Sequence, residues 1–186
     1  LKAGTDLKAA NVTAGEAATL NAGTELNAQN VKSDNGTATL TAVTKLTAQN
    51  VTAKGDAVLR AGADLTANDV KAGGTANLHS QKAMETGSIS ADTVKLHAED
   101  GDIHSDGAVR ANKDASVSTG TQGAIKLAKG LTAGKDITFA TKNGDMLFGS
   151  DIHSTGGNIT ATIAAQGNIG QIGDAKVSVK ADAKGI

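Results

Sequence analysis

Two groups of side chains in this 186-residue chain have types and spacings that could do chemistry. The first is acidic: Glu99, Asp100, Asp102 and Asp106 stand close together in the sequence. Grouped carboxylates of this kind serve acid/base cleavage of glycosides or hold Ca²⁺. The second group is histidine. His79 and His97 each directly follow a leucine, Leu78 and Leu96, and His104 and His153 recur in two "DIHS" echoes. Imidazoles on neighbouring strands lie about 4.8 Å apart and could share a metal ion. What either group can do depends on the elements that position it.

Those elements show themselves as a repeat. Large apolar residues fall in three columns: Leu1, Leu20, Leu40, Leu59 and Leu78; Leu7, Leu26, Leu46, Leu65 and Met84; and Val12, Val31, Val51, Val70 and Ile89. A fixed period of 19 or 20 residues is the mark of a solenoid, one coil per repeat. Two residues beyond each large one stands a small one, as in Ala3, Ala22, Ala42 and Ala61 after the first column. Spacing of two is the strand period, so large and small residues share a face and the residue between them points away. Lys8, Asn27, Thr47 and Thr66 form one such outward column. Corners fall at Gly4, Gly23 and Gly62, with Val43 replacing glycine in one coil, and at Asn11, Asn30, Asn50 and Asp69. The pattern predicts an all-β parallel β-helix, with three strands per coil and about nine coils. A leucine-rich horseshoe needs a helical segment in each repeat, and Thr, Asn and Gly between the columns are poor helix material.

Composition agrees. The chain has no Pro, Cys, Trp or Tyr and only two Phe, so its core must be narrow and built from Leu, Val, Ile and Ala. Eighteen basic and nineteen acidic residues are interspersed, which gives no long-range attraction for nucleic acid or an anionic membrane. No stretch approaches the roughly 18–20 apolar residues of a membrane-spanning helix. Without cysteine there is neither a disulfide nor thiol chemistry.

Near residue 93 the wording changes. Residues 1–93 carry coils of 19–20 residues, and 94–186 carry a second phrase, a strand followed by Gly-x-Ile or Gly-x-Met, in coils of about 21–23. Its glycines are Gly101, Gly123, Gly144 and Gly167, and Gly185-Ile186 begins it once more. The chain therefore reads as one continuous β-helix with two repeat classes. The absence of an amphipathic cap at either end suggests a piece of a longer filament.

The phrase Leu-x-Ala-Gly-x-x-Leu-x-Ala-x-x-Val-x-Ala, with its 19-residue step, and the later "GNITATIAAQGNI" resemble the repeats of the filamentous haemagglutinin family across essentially the whole chain. That family comprises large bacterial exoproteins of two-partner secretion, among them adhesins and contact-dependent inhibition proteins. The resemblance implies a right-handed parallel β-helix on the bacterial surface or secreted, continued by flanking coils. It implies an outer-membrane secretion partner and a role in adhesion, virulence or toxin presentation. The expected function is a rigid, non-enzymatic stalk. The alternative is a direct binding module for a glycan or protein on a host or target cell, and no membrane insertion or nucleic-acid partner is expected.

Placed on this β-helix, His79 and His97 face outward on neighbouring coils, but no third or fourth ligand is evident in the sequence, and solvent exposure is the expectation for them and for His104 and His153. The acidic cluster reads as a solvated turn, because sugar-cleaving β-helices add aromatic platforms and this chain has no Trp or Tyr. The Ca²⁺-binding Gly-Gly-x-Gly-x-Asp phrase is missing, since Gly73-Gly74 continues as Thr75-Ala76-Asn77. Asn-x-Ser/Thr occurs at Asn11, Asn35, Asn50 and Asn158, as turn chemistry in a Thr- and Asn-rich chain explains. Arg60 and Arg110 are each followed by Ala, so there is no Arg-Gly-Asp, and no basic run suggests heparin binding. Catalytic, cofactor-binding and metal residues are therefore expected to be absent, no cofactor is expected, and receptor-contact residues are unknown. A binding loop, if present, is best sought in the irregular stretch Gly144–Ser154, which includes Phe148.

Overall fold

The computed structural model describes residues 1–173 and 176–181. Every regular element among them is a β-strand, and every strand pairing is parallel. The chain is a parallel β-helix. One sheet stacks nine strands, from Lys2–Ala3 to Ile159–Gln166, one for each of the nine coils expected, with eight turns between the first and the last. At about 4.8 Å per turn the stack is roughly 40 Å tall. Gly185-Ile186 lies outside the described residues.

The three columns meet in register. Leu26 pairs with Leu46 and Leu46 with Leu65, each fully buried. The columns continue through the change of wording. Leu78 stacks on Leu96, Leu96 on Val117 and Val117 on Phe139, while Met84 stacks on Ile103 and Ile103 on Ile125. Strands such as Ala38–Ala42 and Ala57–Ala61 bury alternate residues, so burial there is set by the two-residue period rather than by residue type alone.

Coils one to five differ from the three-strand expectation in one respect. The second and third faces share a single eight-residue strand, such as Leu46–Ala53, because the corner at Gln49-Asn50 stays extended and keeps its place in the ladder. In the first three coils an asparagine ladder ties this corner together. Asn30 Nδ2 donates to Asn11 Oδ1, and Asn50 Nδ2 donates to Asn30 Oδ1, both at 2.8 Å. Later coils insert residues at this corner, and the faces separate into pairs such as Ile103–Ser105 and Val109–Ala111.

The longer coils enclose a wider core. The small-residue position of Ala76 becomes Val94 and then, two coils on, Ile137; that of Ser105 becomes Leu127 and then Phe148. Phe148 packs on Phe139, ring centroids 5.1 Å apart. The Gly-x-Ile phrase also has a steric cause. Gly123 has φ of +129°, and a Cβ there would lie 1.9 Å from the carbonyl oxygen of Gly101 in the coil beneath, so no side chain fits.

Candidate functional site

The acidic cluster does not converge. Each carboxylate has a different partner: Glu99 meets two histidines, Asp100 accepts a hydrogen bond from the Thr121 hydroxyl at 2.8 Å, Asp102 accepts from the Ala124 backbone N–H at 2.8 Å, and Asp106 lies 3.1 Å from His104 Nε2. No pair of them frames a cleft for a sugar. Both Phe are buried, and with no Trp or Tyr in the chain no such aromatic ring is offered to a sugar face.

Asp102 belongs to a device that the sequence reading missed. Asp6, Asp56, Asp102, Asp114, Asp136, Asp145 and Asp151 each accept, through Oδ1, a backbone N–H of the next coil, at 2.7–3.2 Å. Each stands directly before an inward-facing residue. Aspartates at turns often bond their own local backbone. These bond one coil onward instead, where a corner N–H would otherwise lack a ladder partner. Asp6 shows the electrostatic result: the Thr24 hydroxyl, then the Glu25 N–H, hold its carboxyl below the usual aspartate range.

The histidines separate into two kinds. His104 and His153 are not equivalent, because Ile103 belongs to the second column and Ile152 to the third. His104 therefore neighbours Glu85 and Lys126, while His153 pairs with Thr132 and Lys180 on another face. The "DIHS" echo is local wording whose spacing does not match the coil length.

His79 and His97 do stack, as the sequence implied. They are register partners on the strands Thr75–Ser80 and Thr93–Asp100, with ring centroids 5.5 Å apart and planes 29° from parallel. The third group that the sequence reading did not find is Glu99. It follows His97 by two residues and so shares its outward face. Its Oε1 lies 3.2 Å from His97 Nε2 and 3.4 Å from His79 Nε2. On the far side His97 Nδ1 lies 2.7 Å from Ser118 Oγ in the next coil. All three groups are partly exposed. The His79 hydrogen bond, followed by the charge of His97, holds the Glu99 carboxyl below the usual carboxylate range.

Backbone irregularity makes room for Glu99. Register with the next strand, Ala115–Gln122, shifts between Ala98 and Asp100, so that Ala98 opposes Thr119 and Asp100 opposes Gln122. The bulge places Gly120 against Glu99, and a Cβ on Gly120 would lie 2.5 Å from the Glu99 carbonyl oxygen and 3.0 Å from Oε2. Bulges commonly re-aim a side chain in this way.

The stretch Gly144–Ser154 is not a loop that breaks the period. Met146–Phe148 and Ile152–Ser154 are ordinary paired strands, and Phe148 is only 3% exposed. Its irregular wording came from large residues entering small-residue positions of the wider core. Of the four Asn-x-Thr positions, all are exposed; Asn11 and Asn50 belong to the asparagine ladder, and Asn35 Nδ2 donates to the Gly15 carbonyl at 2.9 Å.

No protein-family model, curated protein or solved structure matches the chain.

Proposed function

We propose that the chain is a rigid structural rod: part of the stalk of a large secreted bacterial surface exoprotein that serves adhesion or toxin presentation. The observation that carries this reading is the unbroken course of the three inward columns through the stack, each coil bonded only to its neighbours. Outward polar groups are spent on coil-to-coil bonds, as in the asparagine ladder and the row of aspartates. A stack of this kind converts sequence length into reach. The secretory and surface setting is drawn from the resemblance of the repeat wording. The rod is non-enzymatic in this reading, since the clustered Asp100 and Asp102 are each engaged by a different group of the next coil and the Phe rings are buried.

A binding module is favoured by a separate observation. Basic residues scattered in the sequence gather on one face: Lys32, Lys71 and Arg110 share an outward column, separated by Thr52 and Ser90. Lys32 is paired with Asp34 at 2.6 Å, which reduces the charge it offers. An anionic glycan lying along the rod would meet this column.

Antibodies against the chain, applied to intact cells of the organism that makes it, test the location; labelling only after lysis would overturn a surface stalk. Fluorescent chain applied to host and bacterial cells separates the two roles. A stalk gives no saturable binding. Saturable binding lost in Lys71→Ala/Arg110→Ala identifies the binding module. Incubation with acidic polysaccharides, with and without Ca²⁺, gives no turnover; cleavage abolished by Asp102→Ala would make the chain an enzyme.

A further inference from the structure

We propose that His79, His97 and Glu99 form a binding site for a divalent transition-metal ion of the zinc class, which ties two adjacent coils together on the outer face of the rod. The three offer ligand atoms that all lie within 4.8 Å of one another. Two imidazole nitrogens and one carboxylate oxygen suit Zn²⁺, Cu²⁺ or Ni²⁺, and disfavour Ca²⁺ and Mg²⁺, which take oxygen ligands.

Geometry favours an ion at this place. With metal–ligand bonds of about 2.0–2.1 Å, the edges of a tetrahedral site are about 3.3–3.4 Å. The two Nε2–Oε1 distances are 3.2 and 3.4 Å. Both nitrogens already point at one oxygen, so an ion needs only small side-chain adjustments to touch all three groups. Three protein ligands leave a fourth position for water or an external anion, and the partial exposure of the site admits either.

Further contacts fit the same use. A metal on His97 Nε2 requires the ring proton on Nδ1, where Ser118 Oγ lies at 2.7 Å to accept it. An outer partner of this type fixes the tautomer and orients the ring. The bulge and Gly120 provide the space in which the Glu99 carboxylate stands. The opposing charge is Arg60, register partner of His79 one coil below. Ligands on two coils mean that the ion would cross-link the strand Thr75–Ser80 to Thr93–Asp100, beside the step to longer coils.

The alternative use of the cluster is an imidazolium–carboxylate ion pair that takes no metal. Titration of the whole chain with ZnCl₂ and NiCl₂ in non-chelating buffer, followed by calorimetry and by histidine ring resonances, distinguishes them. One equivalent of Zn²⁺ is expected, with His79 and His97 signals shifting and His104 and His153 unmoved. His97→Gln and Glu99→Gln, checked for native circular dichroism, should each weaken binding at least tenfold. Ser118→Ala should weaken it less, and His104→Gln not at all. Zn²⁺ should raise the melting temperature of the native chain and not that of His97→Gln. Absence of Zn²⁺ binding at 100 µM, or binding unchanged in both His97→Gln and Glu99→Gln, overturns the site and leaves the ion pair. Because the readout is metal binding, it stands or falls independently of the stalk reading.

Discussion

Asp136 donates its backbone N–H to Oδ1 of Asp114 in the coil below, 3.2 Å away, and its own Oδ1 accepts the N–H of Asn158 in the coil above at 2.8 Å. Asp136 thus gives a hydrogen bond to the coil below and receives one from the coil above. Asp136→Ala should lower stability by about 1 kcal/mol, the net value of one hydrogen bond to a partly exposed group. Asp136→Asn keeps an Oδ1 acceptor and should lose less than half as much. Chemical denaturation of the two variants measures the difference, and equal losses would mean that charge, not the bond to Asn158, matters.

Leu46 is buried between Leu26 and Leu65, while Thr47, the next residue, lies on the outward side among exposed Val43, Thr44 and Lys45. Leu46→Asp places an unpaired carboxylate inside a narrow apolar stack and should cost several kcal/mol, roughly 3–5. Thr47→Asp should change stability by less than about 0.5 kcal/mol. Coupling between coils is nearest-neighbour, so hydrogen exchange in Leu46→Asp should rise chiefly in the coils carrying Leu26, Leu46 and Leu65. Equal thermal sensitivity at both positions would contradict the inward–outward alternation.

Thr86 takes the small-residue place of Ala67 and Ser105, and its Oγ1 is buried without a hydrogen-bond partner. Buried hydroxyls elsewhere in these columns are paired; Ser154 Oγ, for example, donates to the Lys135 carbonyl at 2.6 Å. Thr86→Val preserves shape and removes the stranded hydroxyl. It should stabilise the chain by about 1 kcal/mol, read as a higher denaturation midpoint at unchanged slope.

Asp92 and Lys113 give a pH signature. The Asn112 amide, then Lys113, hold the Asp92 carboxyl below its ordinary 3.8, and Asp92 raises Lys113 above its ordinary 10.5. A lowered carboxyl contributes stability above its unfolded value and loses it as pH falls through the folded one; a raised amine contributes below its unfolded value and loses it as pH rises. The difference in melting temperature between the native chain and Asp92→Asn should therefore be flat through neutral pH. It should narrow in acid below pH 3.8 and again in alkali above 10.5. Both side chains are partly exposed, so added salt should shrink the difference everywhere.

The first five coils were legible because Leu, Val and Ala repeat there at nearly constant spacing, and register follows from that alone. In the wider coils one column reads Leu96, Val117, Phe139, and size no longer marks position. Phe148 looked like an irregularity for this reason, although its strand is regular. The histidine pair was readable from its leucines. Glu99 was readable too, since it stands two positions after His97, but it was grouped with its acidic neighbours instead. The Gly120 bulge left no such mark. It is a register shift between two chain segments, visible only when both are aligned.

The change in coil length also divides the chain into spare parts of two gauges. Leu26, Leu46 and Leu65 are interchangeable treads, so removing Leu46–Asp64 would rejoin Lys45 to Leu65 with the ladder intact and the rod one rung shorter. The same cut across the step from Ile103 to Ile125 would set Ile125 upon Met84 and force Leu127, from a wider coil, onto the small-residue place of Thr86 in a narrow one. Lengthening by duplication is therefore cheap within a gauge and costly across the seam.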